Sequence, residues 1–140
     1  MTPSRADLVD RYAELVVRVG VNVQPGQLVA IRCLVEHVEL ARAVTEHAYQ
    51  AGASRVVVEY LDNHVRRSMV AHAPAETLTT SLPFQFQQFH DLGDARAAFI
   101  QLTGSPEPDL FHGLDATRVT ARDKDLTALA QKVVLSGDVA

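Results

Sequence analysis

Leu8, Tyr12, Leu15, Val16 and Val19 recur at helical spacing, with charged Arg5, Asp7, Arg11, Glu14 and Arg18 among the residues around them. They predict an opening helix on which these residues form the apolar stripe. Ser4, with Asp7 three residues on, reads as a capping box at its start. Gly20 reads as its stop, because glycine enters the left-handed conformation without a Cβ penalty. Pro25-Gly26 is a turn, and Gln27 to Arg32 a short strand. The helical period returns from Glu36 to Ala51, with Leu40, Val44, Ala48 and Ala51 on or near the buried face, and Gly52 ends it.

Arg55 to Tyr60 reads as a second strand, and its consecutive valines suit a strand covered on both faces, as in a parallel sheet. Asp62 or Asn63 caps a third helix that carries Val65 and Met69 inward, and Pro74 breaks it. Residues Ala75 to Leu92 read as helical pieces interrupted near Pro83. Ala95 to Leu102 is a third strand, followed by a loop from Thr103 to Gly113 and a last helix beginning near Asp115. Alternating strands and helices predict an α/β fold: a parallel βαβ sheet of at least three strands with flanking helices. Leu135 to Ala140 reads as a helix stop, a turn and the first residues of another strand. A strand begun and left unpaired is a poor end for a domain, so the chain is expected to be truncated.

Composition narrows the class. At 140 residues the chain is expected to form one domain, residues 1–140. With 47% hydrophobic and 21% charged residues, it does not have the composition of a disordered chain. A net charge of −4 supplies no general attraction for nucleic acid or anionic lipid, so neither is an expected partner. No run of about 18 apolar residues is present to span a membrane. Met1 to Asp7 lacks the apolar stretch of a signal peptide, and the lone Cys33 suits a reducing compartment. A cytoplasmic location is expected.

Six histidines and seventeen acidic residues invite a search for a metal centre. The Glu36-His37 and Glu46-His47 pairs are suggestive, but the two-imidazole HExxH spacing is missing. His37 and His47 point to different sides of a helix, and His47 reads as a partly buried histidine bonded to backbone. His64 and His72 fall within reach of each other on a helix, with no third ligand in view. No metal, cofactor or catalytic residue is therefore assigned. Thr103-Gly104-Ser105 ends a strand, where α/β sheets place ligands, yet Pro106 and Pro108 follow where free N–H groups would be needed for phosphate. Cys33 near His37 is better read as a small buried hydrophobe than as a nucleophile. Glu59 reads as part of a strand surface and Asp62 as a helix cap, not as an acid/base pair.

Three segments together resemble a known family. They are Tyr12 to Gln27 with its Asn-Val-Gln-Pro-Gly turn, Glu46 to Ala53 running into Val56 to Tyr60, and Phe99 to Ser105 continuing through Pro108-Asp109-Leu110 to Asp115. The match, looser between Pro74 and Asp94, is to the thermophilic-type metallo-aminopeptidases, the family of aminopeptidase T and aminopeptidase S. The resemblance implies a two-domain, dimeric enzyme that removes amino-terminal residues from peptides with a pair of divalent metal ions, zinc or cobalt. It also implies that the Glu, His, Tyr and Asp ligands belong to a longer carboxy-terminal part, absent here, and that this chain alone is inactive. The competing readings are a free-standing dimerisation module and a small-ligand-binding module. The latter would place its crevice at Cys33 to Glu36, Leu61 to Asn63 and Thr103 to Ser105.

Overall fold

In the computed structural model, which describes residues 1–137, the Ser4 and Asp7 side chains cap the first helix reciprocally. Ser4 Oγ accepts the Asp7 N–H at 3.1 Å, while an Asp7 carboxylate oxygen accepts the Ser4 N–H at 3.0 Å. These bonds hold the Asp7 carboxyl below its ordinary range. Helix α1 (Arg5–Leu15) runs into a π turn, Val16–Gly20, closed by Val21 N–H to Val16 C=O. Gly20 is therefore not the left-handed stop expected from sequence. Asn22 takes that conformation, with φ of 48°, as asparagine tolerates better than most residues.

The buried face of α1 also differs from expectation. Ala13 and Val17 are fully buried, while Leu8, Tyr12, Leu15 and Val19 are more than half exposed. Helix α2 (Val38–Gln50) presents Ala41, Val44 and Ala48 to the same core. Small side chains on both helices permit close approach, so the contact forms there and not along the bulkier stripe. His47 is buried beside it, and its Nε2 lies 2.8 Å from Asp10 Oδ1 on α1. The expected backbone partner is thus a carboxylate, which tethers α1 to α2. Since a carboxylate only accepts, Nε2 carries the proton.

Strands β1 (Leu28–Leu34), β2 (Arg55–Leu61) and β3 (Ala98–Gln101) form a parallel sheet in the order β2-β1-β3. The register sets Ile31 opposite Val58 on one side and Ile100 on the other. On one face Val29, Ile31, Cys33, Ala98 and Ile100 pack with α1 and α2. On the other, Ala30 and Phe99 pack with helices α4 (Pro83–Asp94) and α6 (Lys124–Gly137) through Phe89, Leu92 and Val133. Two layers of helix around a parallel sheet are the architecture the alternation predicts. The second layer lies under β1 and β3 and leaves Val57 of β2 43% exposed, so the valine run is not covered on both faces.

Pro25-Gly26 makes the expected turn: Gln27 N–H reaches Gln24 C=O and Gly26 has φ of 80°. This turn docks on the loop before β2 through Gly26 N–H to Gly52 C=O at 2.8 Å. Asp62 caps α3 (Asn63–His72) by accepting the His64 N–H. Here Val70 is buried, whereas Val65 and Met69, expected inward, are exposed. The docked side is set instead by Arg118 of α5 (Ala116–Thr120), whose guanidinium donates to the Val70 and Ala73 carbonyls at the end of α3.

Pro83 occupies the first turn of α4, where its missing N–H is harmless, and so begins a helix. The third strand is shorter than expected, because Arg96 takes φ of 52° in a turn closed by Ala97 N–H to Leu92 C=O. The single last helix is two: Asp115 caps α5 and Asp123 accepts the Leu126 N–H at the start of α6. Helix α6 continues to Gly137, and the strand expected beyond it falls outside the described residues. Among the described residues no helix is long and apolar enough to cross a membrane.

Candidate functional site

Successive side chains on a strand alternate between faces, so Arg32 shares the face of Ala30, and Gln101 that of Phe99. The register places Arg32 between Glu59 and Gln101, one from each strand, at the carboxyl end of the sheet. Arg32 Nε is buried and 3.4 Å from Glu59 Oε2, within ion-pair reach but without hydrogen-bond geometry. Beyond this polar row the chain leaves β1 toward α2 on one face, and after β3 it returns to α6 on the other. Such a divergence opens a crevice in which α/β sheets bind ligands.

That crevice is open to solvent and has a volume of about 220 Å³. It is lined by Arg32 to Leu34, by Leu61 and Asn63, and by Gln101 to Ser105. All three segments expected from sequence contribute, through Cys33 and Leu34, Leu61 and Asn63, and Thr103 to Ser105. Val35, Glu36 and Asp62 do not line the crevice, and Glu36 lies instead at a separate concavity on α1 and α2. Arg32 and Gln101 have no motif to mark them, and their alternation with Ala30 and Phe99 is the one signal they carry in the sequence.

The rim is tied by His64, whose Nε2 lies 3.0 Å from Glu107 Oε1 and joins the start of α3 to the loop after β3. Hydrogen bonding to Glu107, then its charge and those of Asp62 and Glu36, raises the imidazole pKa above the ordinary 6.5. The pair's contribution is therefore complete below pH 6.5 and is lost as pH rises through that higher value. In Glu107→Gln, the His64 ring resonances should titrate with a midpoint shifted down toward 6.5. An unshifted midpoint would rule out the contact as the cause.

Cys33 touches the crevice but is 2% exposed, and burial pushes its thiol up, away from the reactive thiolate. His37 does not serve it, since its Nδ1 accepts the Leu34 N–H at 3.3 Å. Glu59 belongs to the strand surface and Asp62 to the cap, as the sequence suggests. Glu46 stands on α2, next to the buried His47, and His72 ends α3. Among the described residues no three His, Cys, Asp or Glu side chains converge as metal ligands. A second concavity of about 360 Å³, between Leu8, Val9 and Tyr12 of α1 and Leu40 of α2, is chiefly apolar.

The chain is similar to aminopeptidase 2 of Geobacillus stearothermophilus, at 34% identity over 83% of this chain and 28% of that protein. It is 32% identical to aminopeptidase T of Thermus thermophilus over 91% of this chain and 31% of that one. The fold superposes on the solved structure of wild-type AmpT from Thermus thermophilus with a TM-score of 0.74, covering 92% of this chain and 32% of that chain. The chain thus spans about three tenths of the length of these relatives. The metal implied by the family description finds no fitting donor set among the described residues. Residues 5–136 match the description "Thermophilic metalloprotease (M29)", and the chain belongs to that family.

Proposed function

We propose that this chain supplies the amino-terminal α/β part of a metal-dependent aminopeptidase, which removes amino-terminal residues from peptides. The metal-holding side chains, in this reading, belong to the portion of the relatives that the chain does not span. The supporting observation is that the family match runs over residues 5–136, while these residues bring no three donor side chains together. A zinc-like ion needs three or four such groups converging at about 2.0–2.3 Å, and a metal pair needs more. The chain by itself is accordingly inactive. Its role is to build the scaffold of the whole enzyme, a cytoplasmic homodimer without nucleic-acid or membrane partners. The net charge of −4 and the single Cys33 are in keeping with that setting.

The test uses the purified chain, dialysed against cobalt or zinc and then assayed with a leucine-terminated chromogenic substrate. We expect no stoichiometric metal and no metal-stimulated release of amino acid. Turnover that co-purifies with the chain, together with tightly held metal, would reject the reading.

A further inference from the structure

We propose that the crevice at the carboxyl end of the sheet is a binding site for a small monocarboxylate, with Arg32 as its anchor. The inference goes beyond the aminopeptidase reading and does not depend on it. Its basis is position and chemistry together. The crevice lies where the chain diverges to opposite faces of a parallel sheet, the place where such folds accept ligands. Its volume of about 220 Å³ has room for a small carboxylate group with a short side chain.

The charge pattern selects the class. Arg32 Nε lies 3.4 Å from Glu59 Oε2, and a guanidinium also offers terminal N–H donors in a planar fork that matches a carboxylate. Gln101, its register partner on β3, carries an amide donor, and Thr103 and Ser105 are also among the lining residues, the Ser105 hydroxyl oxygen accepting the Glu107 N–H. Phosphate fits poorly. The first turn of α3 is already capped by the Asp62 carboxylate, and Glu36, Asp62 and Glu107 surround His64 at the rim. Like charge at the rim opposes any anion, but opposes a dianion about twice as strongly as a singly charged carboxylate, whose planar group also matches the fork of Arg32.

Amide spectra of the isotope-labelled full chain, titrated with isocaproate, L-leucine, L-leucinamide and inorganic phosphate, test the assignment. Isocaproate and leucine should produce saturable shifts at Asn63 and at Thr103 to Ser105, with leucinamide and phosphate leaving them in place. Leucine binding as well as or better than isocaproate identifies an amino acid as an acceptable source of the carboxylate; weaker binding identifies a plain acid. Both outcomes support the site. Arg32→Gln should weaken binding about tenfold, as expected for loss of a charge-assisted pair. Gln101→Ala, at an exposed strand end, should weaken it about threefold without touching the core. The proposal is overturned if neither carboxylate shifts these amides, if leucinamide acts as leucine does, or if the folded variants bind unchanged. Should Arg32→Gln fail to fold, unchanged affinity in Gln101→Ala alone overturns it.

Discussion

Ile31→Ala is expected to lower the stability of the chain by about 3–4 kcal/mol, with a fall in melting temperature on the order of 10 °C. Ile31 sits in the middle of the central strand and is 1% exposed. It is among the largest fully buried side chains, packed in the cluster that also holds Val17, Val44 and Ile100. Truncation removes buried methyl and methylene groups. It also leaves a void that two strands and two helices cannot readily close, because β1 is hydrogen-bonded on both sides. Val57→Ala is the matched comparison, since Val57 is 43% exposed on the neighbouring strand and should lose less than about 1 kcal/mol. Thermal and urea melts of both variants check the pair. Equal losses would mean that the sheet is not packed as described.

Gly52→Ala should be nearly as damaging, at about 3 kcal/mol, for a reason that has nothing to do with cavities. Gly52 has φ of 99°, which side-chain-bearing residues avoid, and a Cβ there would lie 3.0 Å from Pro25 Cα. Pro25 is backbone-fixed, and the Gly26 N–H bond to Gly52 C=O holds the two loops together at that point. The clash must therefore push apart the turns that precede β1 and β2. Gly26→Ala separates the two effects. Its φ of 80° carries similar conformational strain, but an added Cβ would meet nothing within 4 Å. It should lose only about 1–2 kcal/mol. If the two variants melt together, the close approach to Pro25 relaxes freely and strain alone accounts for both.

Local signals carried well from sequence to structure. The Ser4–Asp7 box, the Pro25-Gly26 turn, the Asp62 cap and the three strands all rest on neighbours within a few residues, and each formed close to its expected place. The crevice was legible for the same reason, because strand ends follow from strand positions. What failed depended on partners distant in the chain. The inward face of α1 is chosen by Ala41 and Ala48 of α2, and that of α3 by Arg118 far downstream. The Asp10–His47 tie has no sequence signature at all. Val57 stays half open because the second helix layer happens to sit beneath β1 and β3. Hydrophobicity marks what can be buried, and only the assembled neighbours decide what is.

The strand order also has a consequence for how the chain folds. The central strand is the first one made, and its two neighbours arrive from very different distances along the chain. β1, α2 and β2 form a contiguous unit that can close with a short crossover, whereas β3 must cross the whole intervening stretch to reach the other side of β1. Loop-closure entropy therefore favours early pairing of β1 with β2 and late capture of β3. Synthesis from the amino terminus reinforces that order. Until β3 docks, the free edge of β1 presents unpaired N–H and C=O groups between apolar faces, so the interval before its arrival is when a nascent chain is most open to mispairing.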